Sequence, residues 1–251
     1  MAWILPDWPT PPEVRALSTQ RDGGVSEAPF ESLNLGAHVG DRPEAVAENR
    51  RRLISAARLP AEPAWLSQQH GVNVLDLDAG YDALAGVQEA SFVADASVTR
   101  RPGRVCAILT ADCLPVLLAS DTGAGVAAAH AGWRGLAAGV IEATVGALAL
   151  PPHSLLAWLG PAIGPMHFEI GAEVREELLR ADPQAEDSFE RNARGRYMAD
   201  LAALARRRLE RLGIARIYGG TACTYAAREH YFSHRRDGRS GRQATLIWLE
   251  K

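Results

Sequence analysis

Three short apolar runs near the middle of the chain decide which folds are open to it. Each run is too short for a helix and is typical of a buried strand. They are residues 108–109, 116–118 and 126–129. Asp112 and Cys113 separate the first two runs, and His130 follows the third. Because side chains at the ends of neighbouring strands converge, we predict that Cys113 and His130 share a cleft.

Helical and strand-like segments alternate along the rest of the chain. Pro43 lies in the first turn of the first helical segment, and Gly213 follows the last. The predicted helices are residues 42–59, 136–148, 171–180 and 200–212, the second of them after a sharp turn around Trp133 and Arg134. Further strands are predicted at residues 94–99, 155–159, 214–218 and 244–249, and a polar surface loop at 76–88. This pattern predicts an α/β or α+β class, with mixed sheets covered by helices in one domain of residues 1–251.

The composition is that of an ordinary globular protein, with 47% apolar and 23% charged residues. The net charge is -3 and the arginines are dispersed, so the sequence lacks the basic cluster that is typical of nucleic-acid-binding proteins. No apolar run approaches the roughly 20 residues of a membrane span, and the N-terminus does not resemble a signal peptide. Three cysteines without CxxC spacing disfavour a disulfide framework or a compact structural zinc module. We therefore expect a cytoplasmic enzyme without membrane or nucleic-acid partners.

A second histidine, His70, stands beside Gly71 between two strand-like pieces. With Cys113 and His130 it would supply two imidazoles and one thiolate, which leave one position open on a tetrahedral zinc ion, as in catalytic sites. The spacing of the three residues matches no recognised signature. A Cys113 nucleophile with a His130 base, which needs no metal, therefore stays equally open.

Several short motifs, taken together and in order, resemble those of the YfiH family. They are Asn34-Leu35-Gly36, Gln69-His70-Gly71, TADCLP at 110–115, HAGWRG at 130–135, GPAIG at 160–164, and FSHRRDG at 232–238 with Gly241-Arg242. The resemblance extends from about Asp22 to the end of the sequence. Members of this family have been called polyphenol oxidases or laccases, purine nucleoside phosphorylases and peptidoglycan editing factors.

The resemblance implies a single-domain, four-layer α/β/β/α sandwich of α+β class with mixed sheets. It also implies zinc bound by His70, Cys113 and His130. The implied activities are phosphorolysis of adenosine, inosine, guanosine and methylthioadenosine, and hydrolytic deamination of adenosine. The partners would then be purine nucleosides and phosphate, and we favour a monomer.

The chemistry of other residues makes them candidates for roles in these activities. Arginine forks match phosphate geometry, and Asn34 is a further candidate for substrate binding. The candidate arginines are Arg134, Arg235, Arg236 and Arg242. Asp95 or Asp112 would act as a base or orient a ligand histidine. His234 is a weaker candidate for proton transfer, because many members of the family carry Tyr at this position.

The laccase description can be compared with the sequence directly. A multicopper oxidase needs repeated His-X-His pairs, whereas this chain has seven histidines and no such pair. We therefore predict that it is not a true laccase and that zinc is favoured over copper. Two further hypotheses remain: a thiol hydrolase that edits cell-wall peptide precursors with Cys113 and His130, and a binding protein without turnover.

Overall fold

The computed structural model describes residues 1–79 and 92–250. Most of the surface loop predicted at residues 76–88 therefore lies outside the described residues. Within the described part of the chain, the strands are β1 Trp3–Ile4, β2 Val14–Thr19, β3 Val74–Asp76, β4 Ala96–Thr99, β5 Val105–Thr110, β6 Leu114–Ser120, β7 Val126–Ala131, β8 Leu155–Leu159, β9 Glu169–Ile170, β10 Phe189–Arg191, β11 Tyr197–Ala199, β12 Arg216–Gly219 and β13 Gln243–Leu249. The helices are α1 Pro43–Ala57, α2 Trp133–Ala138, α3 Val140–Leu148, α4 Ala172–Ala181, α5 Leu201–Arg211 and α6 His234–Asp237.

These strands form three sheets. A four-stranded antiparallel sheet has the order β1-β2-β13-β5. A six-stranded sheet has the order β12-β8-β6-β7-β4-β3. Its end pairs, β12 with β8 and β3 with β4, are parallel, and its other pairs are antiparallel. A small antiparallel sheet, β10-β11-β9, completes the set. The prediction of mixed sheets is confirmed.

The four-stranded and six-stranded sheets pack face to face. Successive side chains of a strand point to opposite sides, so every second residue of a central strand faces the other sheet. On β6, Leu117 and Ala119 belong to the core between the sheets, together with Ile108 of β5. Val116 and Leu118 of the same strand belong to a different core. Each central strand therefore contributes to two apolar layers, which explains why its sequence is an unbroken apolar run.

Helices cover the outer faces of both sheets. Ile141 of α3 and Leu204 of α5 pack with the outer residues of the six-stranded sheet. Leu53 of α1 packs with the outer residues of the four-stranded sheet, including Leu246 of β13. The layer order is therefore α/β/β/α, and the predicted α+β sandwich is confirmed.

The helix predicted at residues 136–148 was wrong in its bounds. Helix α2 already begins at Trp133, and Gly139 separates it from α3 with a left-handed φ of 98°. Trp133 and Arg134 thus lie in the first turn of a helix rather than in a sharp turn. The reason is that extended Gly132 precedes the helix and that Gly139, not Gly135, adopts the left-handed conformation.

The sheet register places the candidate cleft at one end of the sandwich. His130 is the next-to-last residue of β7 and pairs with Pro115 of β6. Cys113 directly precedes β6, in the turn that carries the chain over from β5. Since β5 belongs to the four-stranded sheet and β6 to the six-stranded sheet, Cys113 lies where the chain passes between the two sheets.

We predict that Leu117→Ala lowers the free energy of unfolding by about 2–5 kcal/mol, because it leaves a cavity between the sheets. Leu117 is fully buried there, whereas Leu5 is 67% exposed. Leu5→Ala is the control and should change stability by less than about 0.5 kcal/mol. Urea unfolding followed by circular dichroism measures both. Equal midpoints for the two variants would contradict the packing described here.

Candidate metal centre

The structure brings His70, Cys113 and His130 together. One ligand atom from each residue lies within 4.8 Å of the other two. Cys113 Sγ is 3.7 Å from His70 Nε2, and the two imidazole rings meet edge to face with centroids 4.7 Å apart. Two nitrogen donors and one sulfur donor at this separation suit zinc, or copper in its softer oxidation state. This arrangement could hold a metal ion.

Asp95 holds this group in place. Its carboxylate accepts hydrogen bonds from the backbone amides of the 69–71 turn, at 3.1, 2.8 and 2.7 Å. It also contacts His130 Nδ1 at 2.9 Å, which leaves Nε2 of that ring for the cleft. His70 lies in the turn with a φ of 60°. The contacts of Asp95 therefore favour the second of its predicted roles, in which it orients the ligand histidines.

The electrostatics of the site favour a thiolate beside an imidazolium. Burial alone would raise the pKa of Cys113, but the charge of His130 and hydrogen bonds from His130 and His70 lower it to about 6. Burial opposes the charged form of His130 as well, yet Cys113 and Asp95 raise its pKa to about 9. Burial would raise the pKa of Asp95, but hydrogen bonds from His130 and the 69–71 turn lower it. A thiolate is the form of cysteine that binds metals and attacks electrophiles.

Asp112 fixes the turn that carries Cys113. It is buried and has a φ of 92°, which is unusual for a residue with a side chain. One carboxylate oxygen accepts from Thr224 Oγ1 and the other from the Arg235 amide, both at 2.6 Å. The Asp112 carbonyl accepts from the Ile163 amide at 2.9 Å. Since both carboxylate oxygens are engaged, these contacts favour a positioning role over that of a base.

Two of the four candidate arginines lie beside the site with different partners. Arg242 is partly buried, and its Nη1 donates to the carbonyls of Ser240 and Gly241 at 2.9 and 3.0 Å. Burial lowers its pKa, and the negative charges of Cys113 and Asp112 oppose that change. Arg235 donates to the Glu169 carbonyl and lies over the Phe168 ring at 5.3 Å.

The other two candidate arginines have different contacts. Arg236 donates to the carbonyls of Thr224, Tyr225 and Tyr231 and to the Asp237 carboxylate. It thus binds the C-terminal loops together. Arg134 is exposed and lies over the Trp133 ring at 4.4 Å.

Asn34 binds the backbone of Arg242. Its Oδ1 accepts from the backbone amides of Gly36 and Arg242 at 3.0 and 2.9 Å. Its Nδ2 donates to the Gly36 carbonyl and the Asp41 carboxylate. Asn34 is fully buried, so its contacts favour positioning of Arg242 rather than direct substrate binding.

An apolar pocket of about 150 Å³ adjoins Cys113. Its walls are Trp133, Ile163, Phe168 and Leu201, with His234 and Arg235 also lining it. Phe168 and Leu201 were not among the predicted site residues, because in the sequence they resemble ordinary core residues. Trp133, Ile163 and His234, in contrast, lie within the motifs at 130–135, 160–164 and 232–238.

Within residues 1–79 and 92–250, the His70, Cys113 and His130 group is the only set of three or more such ligands close enough to share a metal ion. All seven histidines lie in this part of the chain. In the same residues, no helix has the length and apolar character needed to cross a membrane.

Comparison with known proteins gives matches over nearly the whole chain. A family model described as multi-copper polyphenol oxidoreductase laccase matches residues 15–250. Purine nucleoside phosphorylase YfiH of Escherichia coli is 52% identical over 98% of both chains. Purine nucleoside phosphorylase PA4543 of Pseudomonas aeruginosa is 52% identical over 99% of both chains. The crystal structure of Neisseria meningitidis protein NMB0706 is 46% identical, covers 100% of both chains and has a TM-score of 0.93.

We predict that Gly132→Ala weakens zinc binding by roughly 10-fold to 100-fold, the effect expected when the support of a ligand is disturbed. A Cβ at this position would lie 2.9 Å from His70 Cδ2 and 3.0 Å from Cys113 Sγ, two of the candidate ligands. Gly146→Ala in α3 is the matched control, because nothing lies within 4 Å of its added Cβ. Competition with a chromophoric chelator measures the affinity. Wild-type affinity in Gly132→Ala would contradict this geometry.

Proposed function

This chain belongs to the YfiH family, whose family model matches residues 15–250, and we propose that it is a zinc-dependent purine nucleoside phosphorylase. In this proposal, residues 1–251 form one catalytic domain that works as a cytoplasmic monomer. Its substrates are inorganic phosphate with adenosine, inosine, guanosine or methylthioadenosine, and it also deaminates adenosine. The observation that carries the proposal is that an apolar pocket borders Cys113, one of three residues that could share a metal ion, and that the charge of Arg242 interacts with that of Cys113.

The residues present fit a zinc ion. His70, Cys113 and His130 supply a nitrogen and sulfur donor set, and Asp95 supports two of the three ligands. When bound, zinc supplies Lewis acidity and a water of lowered pKa, which hydrolytic deamination at the purine ring requires. The three ligands leave the apolar pocket free to receive the substrate.

Phosphorolysis requires residues that bind the phosphate and residues that bind the nucleoside. A phosphate oxygen must attack the ribose C1′ while the bond from C1′ to the purine nitrogen breaks. In the proposal, Arg242 binds the phosphate, because a guanidinium held at one end by two carbonyls keeps a fixed orientation toward an anion. Within the described residues, its Nε and Nη2 make no hydrogen bond. Trp133 and Phe168 would contact the faces of the purine base.

A cysteine hydrolase that edits cell-wall peptide precursors is the second candidate. It is favoured by the chain of contacts from Asp95 through His130 to the low-pKa thiol of Cys113, which resembles a nucleophile, base and orienting acid. Such an enzyme needs no metal. A copper polyphenol oxidase is less consistent with the described residues, since one three-ligand group cannot hold both a blue site and a trinuclear cluster.

We predict that the purified protein contains about one zinc ion per chain, as a three-residue site would hold. Phosphate-dependent release of hypoxanthine from inosine should stop after chelation and return when zinc is added. His70→Gln should mimic chelation, whereas the control His153→Gln, outside the site, should stay active. Elemental analysis and a coupled assay measure these outcomes. Catalysis that survives chelation would move the assignment to thiol chemistry at Cys113.

We predict that Arg242→Lys raises KM for phosphate on the order of tenfold or more, because lysine keeps the charge but loses the rigid fork. KM for inosine should stay near the wild-type value. Arg216→Lys is the control, since Arg216 forms a surface ion pair with Asp121 far along the sheet. Steady-state kinetics with each substrate varied in turn separate the two constants. Parallel changes in both KM values would indicate a structural role for Arg242 instead.

A further inference from the structure

A second thiol and imidazole pair lies outside the candidate metal centre. Cys223 Sγ is 3.8 Å from His167 Nδ1. The same sulfur accepts hydrogen bonds from the backbone amides of Gly164 at 3.2 Å and Ala226 at 3.4 Å. The His167 ring stacks on Tyr225 with centroids 4.5 Å apart, which fixes its orientation beside the sulfur. Three donors thus surround this sulfur when the imidazole carries its proton on Nδ1.

This sulfur lies on a cavity of about 170 Å³. The loops that follow the parallel strands β8 and β12 form its walls, and Gly160 and Gly220 lie in these loops. Met166 and His167 also line the cavity, and Cys223 is partly exposed. A small solute can therefore reach the sulfur without any change in the core.

The other two cysteines have different surroundings. Cys106 is fully buried, and burial raises the pKa of its thiol to about 12, which makes it unreactive. Cys113 belongs to the candidate metal ligands. Cys223 is partly exposed and has an imidazole neighbour, and it does not belong to the candidate metal ligands. Neither of the other two cysteines in the sequence meets all three conditions.

We propose that Cys223 is a redox-reactive thiol that small hydroperoxides oxidise to a sulfenic acid. Amide and imidazole donors stabilise negative charge on sulfur, and an accessible thiolate next to such donors is the reactive form. The thiol proton passes to His167, and the thiolate attacks the outer oxygen of the peroxide. An S–O bond forms as the O–O bond breaks, sulfur loses two electrons, and the leaving hydroxide or alkoxide takes the proton back from His167.

The position of this thiol links it to the turn that carries Cys113. Thr224, the next residue, donates to the Asp112 carboxylate at 2.6 Å. Gly164, whose amide bonds the sulfur, follows Ile163, whose amide bonds the Asp112 carbonyl. An oxygen added to Cys223 would therefore lie between two segments that both hold Asp112. The proposed thiol chemistry itself does not depend on the phosphorolysis proposed above.

The test is a measurement of sulfenic acid at each cysteine separately. The zinc-loaded protein is treated with hydrogen peroxide and dimedone, and adducts are quantified by peptide mass spectrometry. We expect at least about tenfold more adduct at Cys223 than at Cys106, which serves as the buried control in the same molecule. Equal adduct at Cys223 and Cys106 in the folded protein overturns the proposal.

Two matched variants test the part played by the imidazole. His167→Gln should slow adduct formation at Cys223 several-fold, whereas His153→Gln, remote from the cavity, should leave it unchanged. An undiminished rate in His167→Gln overturns the role given to His167. If that variant unfolds, Cys106 will also become labelled, and the wild-type ratio then decides the question without it.

Discussion

The buried carboxylate of Asp95 is the interaction on which the rest of the site depends. A buried carboxylate is costly unless hydrogen bonds replace its water, and this one receives three backbone amides and one imidazole. The same residue also contributes its backbone, since the Asp95 carbonyl accepts the His130 amide at 2.7 Å. The Asp95 carboxylate thus binds both the turn that carries His70 and the strand that carries His130. These contacts fix the two histidines relative to each other without a metal ion.

The two-sheet architecture supplies the third member of the group. Cys113 lies where the chain leaves the four-stranded sheet for the six-stranded one, and that passage requires the left-handed conformation of Asp112. Hydrogen bonds from Thr224 and from the Arg235 amide hold this residue in place from the C-terminal part of the chain. The site is thus assembled from segments far apart in sequence, and its geometry depends on the packing of the whole sandwich.

The sequence predicted the parts of this structure that depend on local pattern. Short apolar runs identified β5, β6 and β7, and their ends brought Cys113 and His130 together, since strand period and pairing are local rules. The place of His70 beside a glycine made it a candidate, but its grouping with Cys113 and His130 gained support only from the resemblance, because its contact with Asp95 crosses 25 residues without any period to reveal it. Phe168 and Leu201 were missed for a similar reason: an apolar side chain in a pocket looks the same in sequence as one in the core. The start of α2 was misplaced because Gly132 and Gly135 were both expected to permit a sharp turn around Trp133, whereas the left-handed residue is Gly139, at the end of α2.

The place of β13 in its sheet bears on how this chain reaches its folded state during synthesis. This strand is the last in chain order, yet it lies between β2 and β5 and joins them. Ser18 and Thr245, hydrogen-bonded across that junction, are 227 residues apart. Until β13 has left the ribosome, β2 and β5 have no strand between them, and Ile247 and Leu249 are missing from the core between the two sheets. Pairing between segments so far apart in sequence slows folding, because the entropy of closing the long loop is lost before the contacts form.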